Sequence, residues 1–265
     1  MSRIFSTVNT VLTLGFLSAF SGAQGHEFWI QPHSYRLEAN TPLVADVRVG
    51  TDFSGDAQAY IPDLMNEFNI RDDSGTYPVE GRIGDLPAVN IAPGADGLKV
   101  LNLFSTTSVL TWSDFQKFDE FLQLHGLDWV LEEHSARGLP ENGFKEAYTR
   151  FVKSLVAVGD GAGNDQYTGM FFELVAAANP YTDDISGGMP ISVMFKGTPL
   201  PNKQVDLFFR DTEGELIRLS VISGRNGRAI VPNLGAGEYM VNVVHMIAPF
   251  EADMERTGIV WHSLW

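Results

Sequence analysis

Apolar runs of strand length, cut by clusters of glycine, aspartate and proline, recur along most of this chain, and that punctuation restricts the fold more than any other feature. From Phe28 to about Leu110 the runs "LVADVRVG", "FNIRD", "LKVLNLFST" and "VLTW" alternate with "DDSG", "PGADG" and similar turn chemistry. Such a pattern suits an antiparallel β-sandwich, in which each strand buries one face and then reverses. The last third does the same. In "MPISVMFKGTPLPNKQVDLFFRDTEGELIRLSVISGRNGRAIVPNLGAGEYMVNVVHM", apolar stretches are separated by Gly-Thr-Pro, Thr-Glu-Gly-Glu, Gly-Arg-Asn-Gly and Gly-Ala-Gly turns.

Between these β parts the period changes. Ser113 with Gln116 three residues on forms a capping-box signal, and Phe115, Phe118 and Leu122 follow at helical spacing. After the break "ARGLPENG", the spacing of Phe144, Tyr148, Phe151 and Leu155 predicts a second helix. The expectation is therefore a mainly β protein: an N-terminal β-sandwich over residues 26–111, an inserted α-helical hairpin over 112–158, and a second β part over 159–265. The turn order of this last part resembles small Ig-like or transthyretin-like modules of exported proteins. No fixed-period repeat is visible.

The N-terminus carries Arg3, an apolar run from Val8 to Phe20 and the small residues Ser21-Gly22-Ala23, with no acidic residue before Glu27. That is the anatomy of a secretory signal peptide over residues 1–25. The run is shorter than the roughly 18 residues that span a bilayer, and no later segment comes close, so no transmembrane segment is expected after cleavage. The expected location is secreted or periplasmic. Without the leader, 17 basic residues face 33 acidic ones, a net charge of about −16. Nucleic acid is an unsuitable partner for such a surface, because phosphate contact needs clustered Lys and Arg. Cysteine is absent, which excludes disulfides and thiolate metal sites in an oxidising compartment.

Any transition metal must then be held by histidine, methionine, carboxylates or a new amino terminus. Cleavage after Gly25 would leave His26 with a free amine and an imidazole, both deprotonated at modest cost near neutral pH. Together they can close a chelate ring on Cu(II) or Ni(II), which favour nitrogen donors. The alternative is an exposed first residue with no metal. His33, seven residues on, points to the opposite face of any continuous strand and reads as a surface histidine. His125 and His134 stand nine residues apart, on opposite faces of one helix, with Glu132 and Glu133 as a solvated charged face. His245 ends an apolar strand face shared with Tyr239, Val241 and Val243, where a hydrogen-bonded core residue is the ordinary reading; it becomes a ligand if its strand end meets His26. His262, near Glu251, Asp253 and Glu255, is the third donor. The candidate metal ligands are thus His26, His245 and His262.

Other constellations fail. "GDGAGNDQYTGM" suggests a calcium loop, but the twelfth position counted from Asp160 is Phe171 rather than a bidentate Glu. There is no HExxH, GxSxG, P-loop or dinucleotide fingerprint, so no enzymatic activity is expected. A competing reading is an Ig-like module that binds a glycan or a partner protein through Trp29, Trp112, Trp129, Trp261 or Trp265.

Several separated segments, "HEFWIQP", "VRVGTDFSGD", "LVAVGDG", "FELVAAANPY", "GTPLPNKQV", "VNVVHM" and "WHSLW", together resemble the exported proteins of the DUF4198 family, described in connection with nickel uptake. The resemblance covers nearly all of the mature chain. It implies a periplasmic accessory protein that binds a divalent transition metal and works beside a membrane metal transporter. Its "HEF" and "VHM" segments fall on His26 and His245. Members of the family continue past the final tryptophan motif into a strand resembling "ASLTFE"; its absence here implies an unpaired sheet edge. His262 stands where the family pattern suggests an acidic residue.

Overall fold

The structure is a computed structural model that describes residues 27–265. Along the chain it forms β1 (Glu27–Pro32), β2 (Arg36–Leu37), β3 (Leu43–Thr51), β4 (Ser54–Gln58), β5 (Met65–Asp72), β6 (Gly75–Pro78), β7 (Val89–Ile91) and β8 (Gly97–Ser105). Strand β9 (Ser108–Trp112) leads into α1 (Phe115–Leu124) and α2 (Trp129–Ala136), followed by β10 (Phe144–Thr149) and β11 (Phe151–Val158). Then come β12 (Phe172–Ala176), β13 (Met189–Phe195), β14 (Thr198–Pro199), β15 (Gln204–Asp211), β16 (Leu216–Ile222), β17 (Arg228–Val231) and β18 (Gly237–Asn242). The chain closes with β19 (His245–Ile247), α3 (Glu251–Thr257) and β20 (Ile259–Leu264).

Three apolar cores organise these elements. In the first, β3 is flanked by β1 on one side and by β4 and β7 on the other, and this sheet faces a second one ordered β2-β11-β8-β5-β6. Ile30, Leu43, Ala45 and Val47 meet Phe68, Ile70, Leu101, Leu103, Val152 and Val156 between them. A second sandwich sets β12-β13 with β14 and β17 against β16-β15-β18, around Val193, Val205 and Leu207. Between the second sandwich and the two helices lies a sheet ordered β19-β20-β10-β9. One face of this sheet is covered by α1 and α2 through Phe118, Phe121, Leu122, Val130 and Trp261. Its other face presents Leu264 and Ile247 to the second sandwich. The mainly β class and the sandwich reading thus hold.

Two local expectations are corrected. The helix predicted over Phe144–Leu155 is instead the strand pair β10 and β11. Its four apolar residues serve different cores: Phe144 packs under the helices, whereas Phe151 packs against the second sandwich. The chain changes sheet at Arg150, and the resulting shift in side-chain alternation mimics a helical period. The hairpin's second helix is α2, and the cap of α1 is Asp114 rather than Ser113, its carboxylate accepting from the Gln116 amide at 3.0 Å. Likewise, Tyr239 to His245 is not one strand. Val243 enters the second sandwich core and Val244 the helical one, so the chain crosses between sheets there and His245 begins β19.

The sequence-drawn bounds at 111 and 158 are crossed by long-range pairing. Strand β11 belongs to the first sandwich, antiparallel to β8, and β20 runs parallel to β10. Paired by β19 and β10, β20 is an interior strand; the Trp265 amide donates to Thr149 and its carbonyl accepts from Phe151. The sheet's edges are β9 and β19.

Candidate functional site

Where the two sandwiches approach, they enclose a cavity of about 860 Å³, within the size range of small-ligand sites. Its walls include consecutive residues of β1 (Glu27 to Ile30), β11 (Phe151 to Leu155) and β18 (Gly237 to Asn242), together with Phe172, Glu173 and Leu174 of β12. Successive side chains of a strand point to opposite faces. A cavity that touches odd and even residues alike therefore borders the strand's edge. Topology agrees: β1, β12 and β18 are edge strands, and β11 is paired on that side only at Ala157 and Val158, by β2.

The lining is mostly apolar and aromatic, with a few charged groups held by neighbours. Lys153 reaches Asp165 Oδ1 at 2.8 Å and Glu173 Oε1 at 2.6 Å. Asp165 also accepts from the Gln166 and Ala176 amides, and Glu173 from the Thr168 amide. This cluster closes the 165–173 loop over β11; ahead of it Asp160 accepts from the Ala162 amide, a turn bond. Across the cavity, Glu238 accepts from Arg210 Nε at 2.9 Å and from Gln31 at 3.4 Å, which ties β18 to β1. Arg150 lies over the Phe28 and Tyr148 rings, and Arg210 over Phe53. Burial raises the Glu27 carboxyl above its ordinary range, and its Oε2 has no hydrogen-bond partner. Of the tryptophans, Trp29 and Trp265 line the cavity. Trp112 and Trp261 are buried in the helical core, and Trp129 meets Trp261 edge-on.

The histidines divide into four situations. His26 lies outside the described residues; its neighbour Glu27 sits in the field of Asp52 and Arg218. His33 is exposed, with Nε2 3.5 Å from the Asp46 carboxylate. His125 and His134 do not share a helix, since α1 stops before His125 and α2 starts at Trp129, and both are buried, while Glu132 and Glu133 form the expected exposed charged face. The Trp261 indole donates to His134 Nδ1 at 3.1 Å, so the other nitrogen, Nε2, donates to the Pro140 carbonyl at 3.0 Å. This histidine is fully partnered and structural. His125 Nδ1 stands 3.2 Å from Asp206 Oδ2 and ties α1 to β15.

His245 and His262 stand on paired strands. In the β19–β20 pair, His245 lies opposite Leu264 and His262 opposite Ile247. The two imidazoles are therefore diagonal neighbours on one face, with about 7 Å between side-chain roots. His262 Nε2 is 2.9 Å from Thr149 Oγ1. His245 packs between the Phe172 and Phe195 rings, and its Nδ1 is buried with no partner. Burial, helped by the Lys203 charge, lowers its pKa to about 4, and burial also lowers that of His262. Both rings are thus neutral at neutral pH, the form that ligates metals. Asp253 pairs with Arg256 at 2.9 Å. Among the described residues, no group of three or more His, Asp or Glu side chains is placed to hold a metal.

Among the buried acids that sequence reasoning missed is one in the helical core. Glu146, in β10, accepts from the Trp112 indole at 2.7 Å and from the Ser263 hydroxyl at 2.5 Å, beneath the helices. Burial pushes its pKa up to about 7. Nothing local in "FKEAYT" marks it, because its partners lie 34 and 117 residues away.

No helix of the described residues is long and apolar enough to cross a membrane. Comparison with curated proteins finds no match. Among solved structures, the tetra-tandem repeat in the extending region of a large adhesion protein aligns at 13% identity and a TM-score of 0.21. It covers 82% of this chain, which spans 41% of that one; so low a score carries no argument. A family profile described as a domain of unknown function, DUF4198, matches residues 23–247, which include His26 and His245 and exclude His262. The match extends over most of the sequence, and the chain belongs to the DUF4198 family.

Proposed function

We propose that this is an exported, non-catalytic accessory protein that binds a divalent transition metal, nickel or copper, in the periplasm and passes it to a membrane transporter. The observation that supports this reading is the His245 and His262 pair: two neutral imidazoles on one sheet face, one with a buried, unpartnered nitrogen. They supply two nitrogen donors. The remainder of a coordination shell comes from solvent or from the amine and imidazole of His26 after cleavage behind Gly25. The test is calorimetric titration of Ni(II) and Cu(II) into protein beginning at His26. His245→Ala and His262→Ala are each expected to weaken binding by at least about tenfold, a loss seen even for residues outside the ligand shell. One extra residue ahead of His26 is expected to weaken it further. Unchanged affinity in both histidine variants would refute the reading.

The cavity supports a second reading, a module that binds a glycan or a partner protein, because aromatic walls and a few polar groups are what such a ligand uses.

A further inference from the structure

Beside alternate residues of β13, Met189 and Ile191, four of the strands that line the cavity border it with a sheet edge, β1, β11, β12 and β18, and every second residue of an edge strand points its N–H and C=O away from the sheet. A ligand that satisfies these groups needs donors and acceptors repeating at about 6.6 Å, two residues of extended chain. That spacing belongs to a peptide backbone.

The edges are not equivalent. Strand β1 ends in Pro32, and in β12 the Ala176 amide is taken by Asp165. Over 151–156, β11 presents Lys153, held by the Asp165 and Glu173 carboxylates. Strand β18, "GEYMVN", has no proline, its only charge is neutralised by Arg210, and its backbone bonds go to β15. Proline and an unpaired charge, two of the devices that block natural edges, are absent from it. The Tyr239 hydroxyl donates back to the Gly235 carbonyl ahead of the strand, and six residues give about 20 Å of template.

We propose that the cavity binds an extended peptide segment with apolar side chains, added as a further antiparallel strand to β18. The inference rests on the second reading above and gives it a ligand class. Strand addition draws affinity from main-chain hydrogen bonds and specificity from alternate side-chain pockets. Here the pockets are offered by the Trp29, Phe151 and Phe172 side chains.

The experiment uses a panel of acetylated, amidated hexapeptides alternating valine or tyrosine with threonine, each beside a control N-methylated at alternate backbone amides. Binding to the full mature chain is read from tryptophan fluorescence, and β18 amides are followed by hydrogen exchange. The expected result is binding below about 1 mM, slower exchange in β18, and at least about a tenfold loss on N-methylation, the cost of one or two hydrogen bonds. Equal binding of the methylated control, or protection elsewhere than β18, overturns strand addition. If soluble oligosaccharides bind while no peptide does, the peptide is wrong and the second reading stands. If neither binds at that concentration, both fall.

Discussion

Replacing Trp261 by alanine is expected to cost about 3–5 kcal/mol, a large share of the stability of an ordinary domain. The side chain is fully buried in β20, lies under the Arg137 guanidinium, meets Trp129 edge-on and donates to His134. It therefore joins the C-terminal strand to both ends of α2. Phenylalanine refills part of the space but leaves His134 Nδ1 without its donor, so Trp261→Phe is expected to cost about 1–3 kcal/mol. His134→Phe alone strands the indole N–H in the same way. With both gone, neither the indole N–H nor the imidazole Nδ1 is left unpaired, and only the Pro140 carbonyl still loses its donor. The double variant should accordingly lose less than the sum of the single losses, by more than about 0.5 kcal/mol. Urea unfolding of the four proteins measures this, and strict additivity would show that the indole–imidazole bond does not couple the two elements.

A second large effect concerns pH. With the Glu146 carboxyl raised from 4.5 to about 7 in the folded protein, its contribution is complete below pH 4.5, where both folded and unfolded chains hold the proton. As pH rises toward 7 the unfolded chain ionises first and stability falls, by about 3 kcal/mol in all, then levels off. Glu146→Gln removes that decline and is expected to be the more stable protein at pH 8. His245 acts in the opposite sense. Its pKa is lowered from 6.5 to about 4, so its contribution is complete above pH 6.5 and disappears as pH falls toward 4. His134 and His262 are lowered too and add to this slope. Between pH 4.5 and 6.5 the acid and the histidines oppose each other, which flattens the wild-type profile. Glu146→Gln exposes the histidine slope and should lose stability on acidification more steeply than wild type. Unfolding midpoints from pH 4.5 to 8 decide it; parallel profiles for the two proteins would rule Glu146 out as the titrating group.

How far these residues were legible differs from element to element. The apolar runs around "LVADVRVG" and "QVDLFF" announced β3 and β15 because strand-length burial repeats locally. Phe115, Phe118 and Leu122 announced α1 for the same reason, one helical face against one core. The spacing of Phe144 to Leu155 misled, since two strands in different sheets shared a period that belonged to neither. His33 was readable as a surface residue. Glu132 and Glu133 were readable as an exposed charged face, whereas His125 and His134 were placed on one helix, and the break before α2 and the packing of their rings against Trp265 and Trp261 lie outside that local spacing. His262 was named as a donor, but its place diagonal to His245 depends on β20 returning to pair with β19.

By itself, the sequence determined the β class, the strand-length segments, the position of the first helix and the set of residues able to ligate a metal, all properties of neighbours within a few positions. Tertiary structure alone decided which sheet each strand joins, the burial of Glu146, the pairing of the strands that carry His245 and His262, and the cavity bordered by sheet edges. Each of these depends on hydrogen-bonded pairing and packing between residues as far as 117 positions apart, and such partners leave no mark on the local period of either segment.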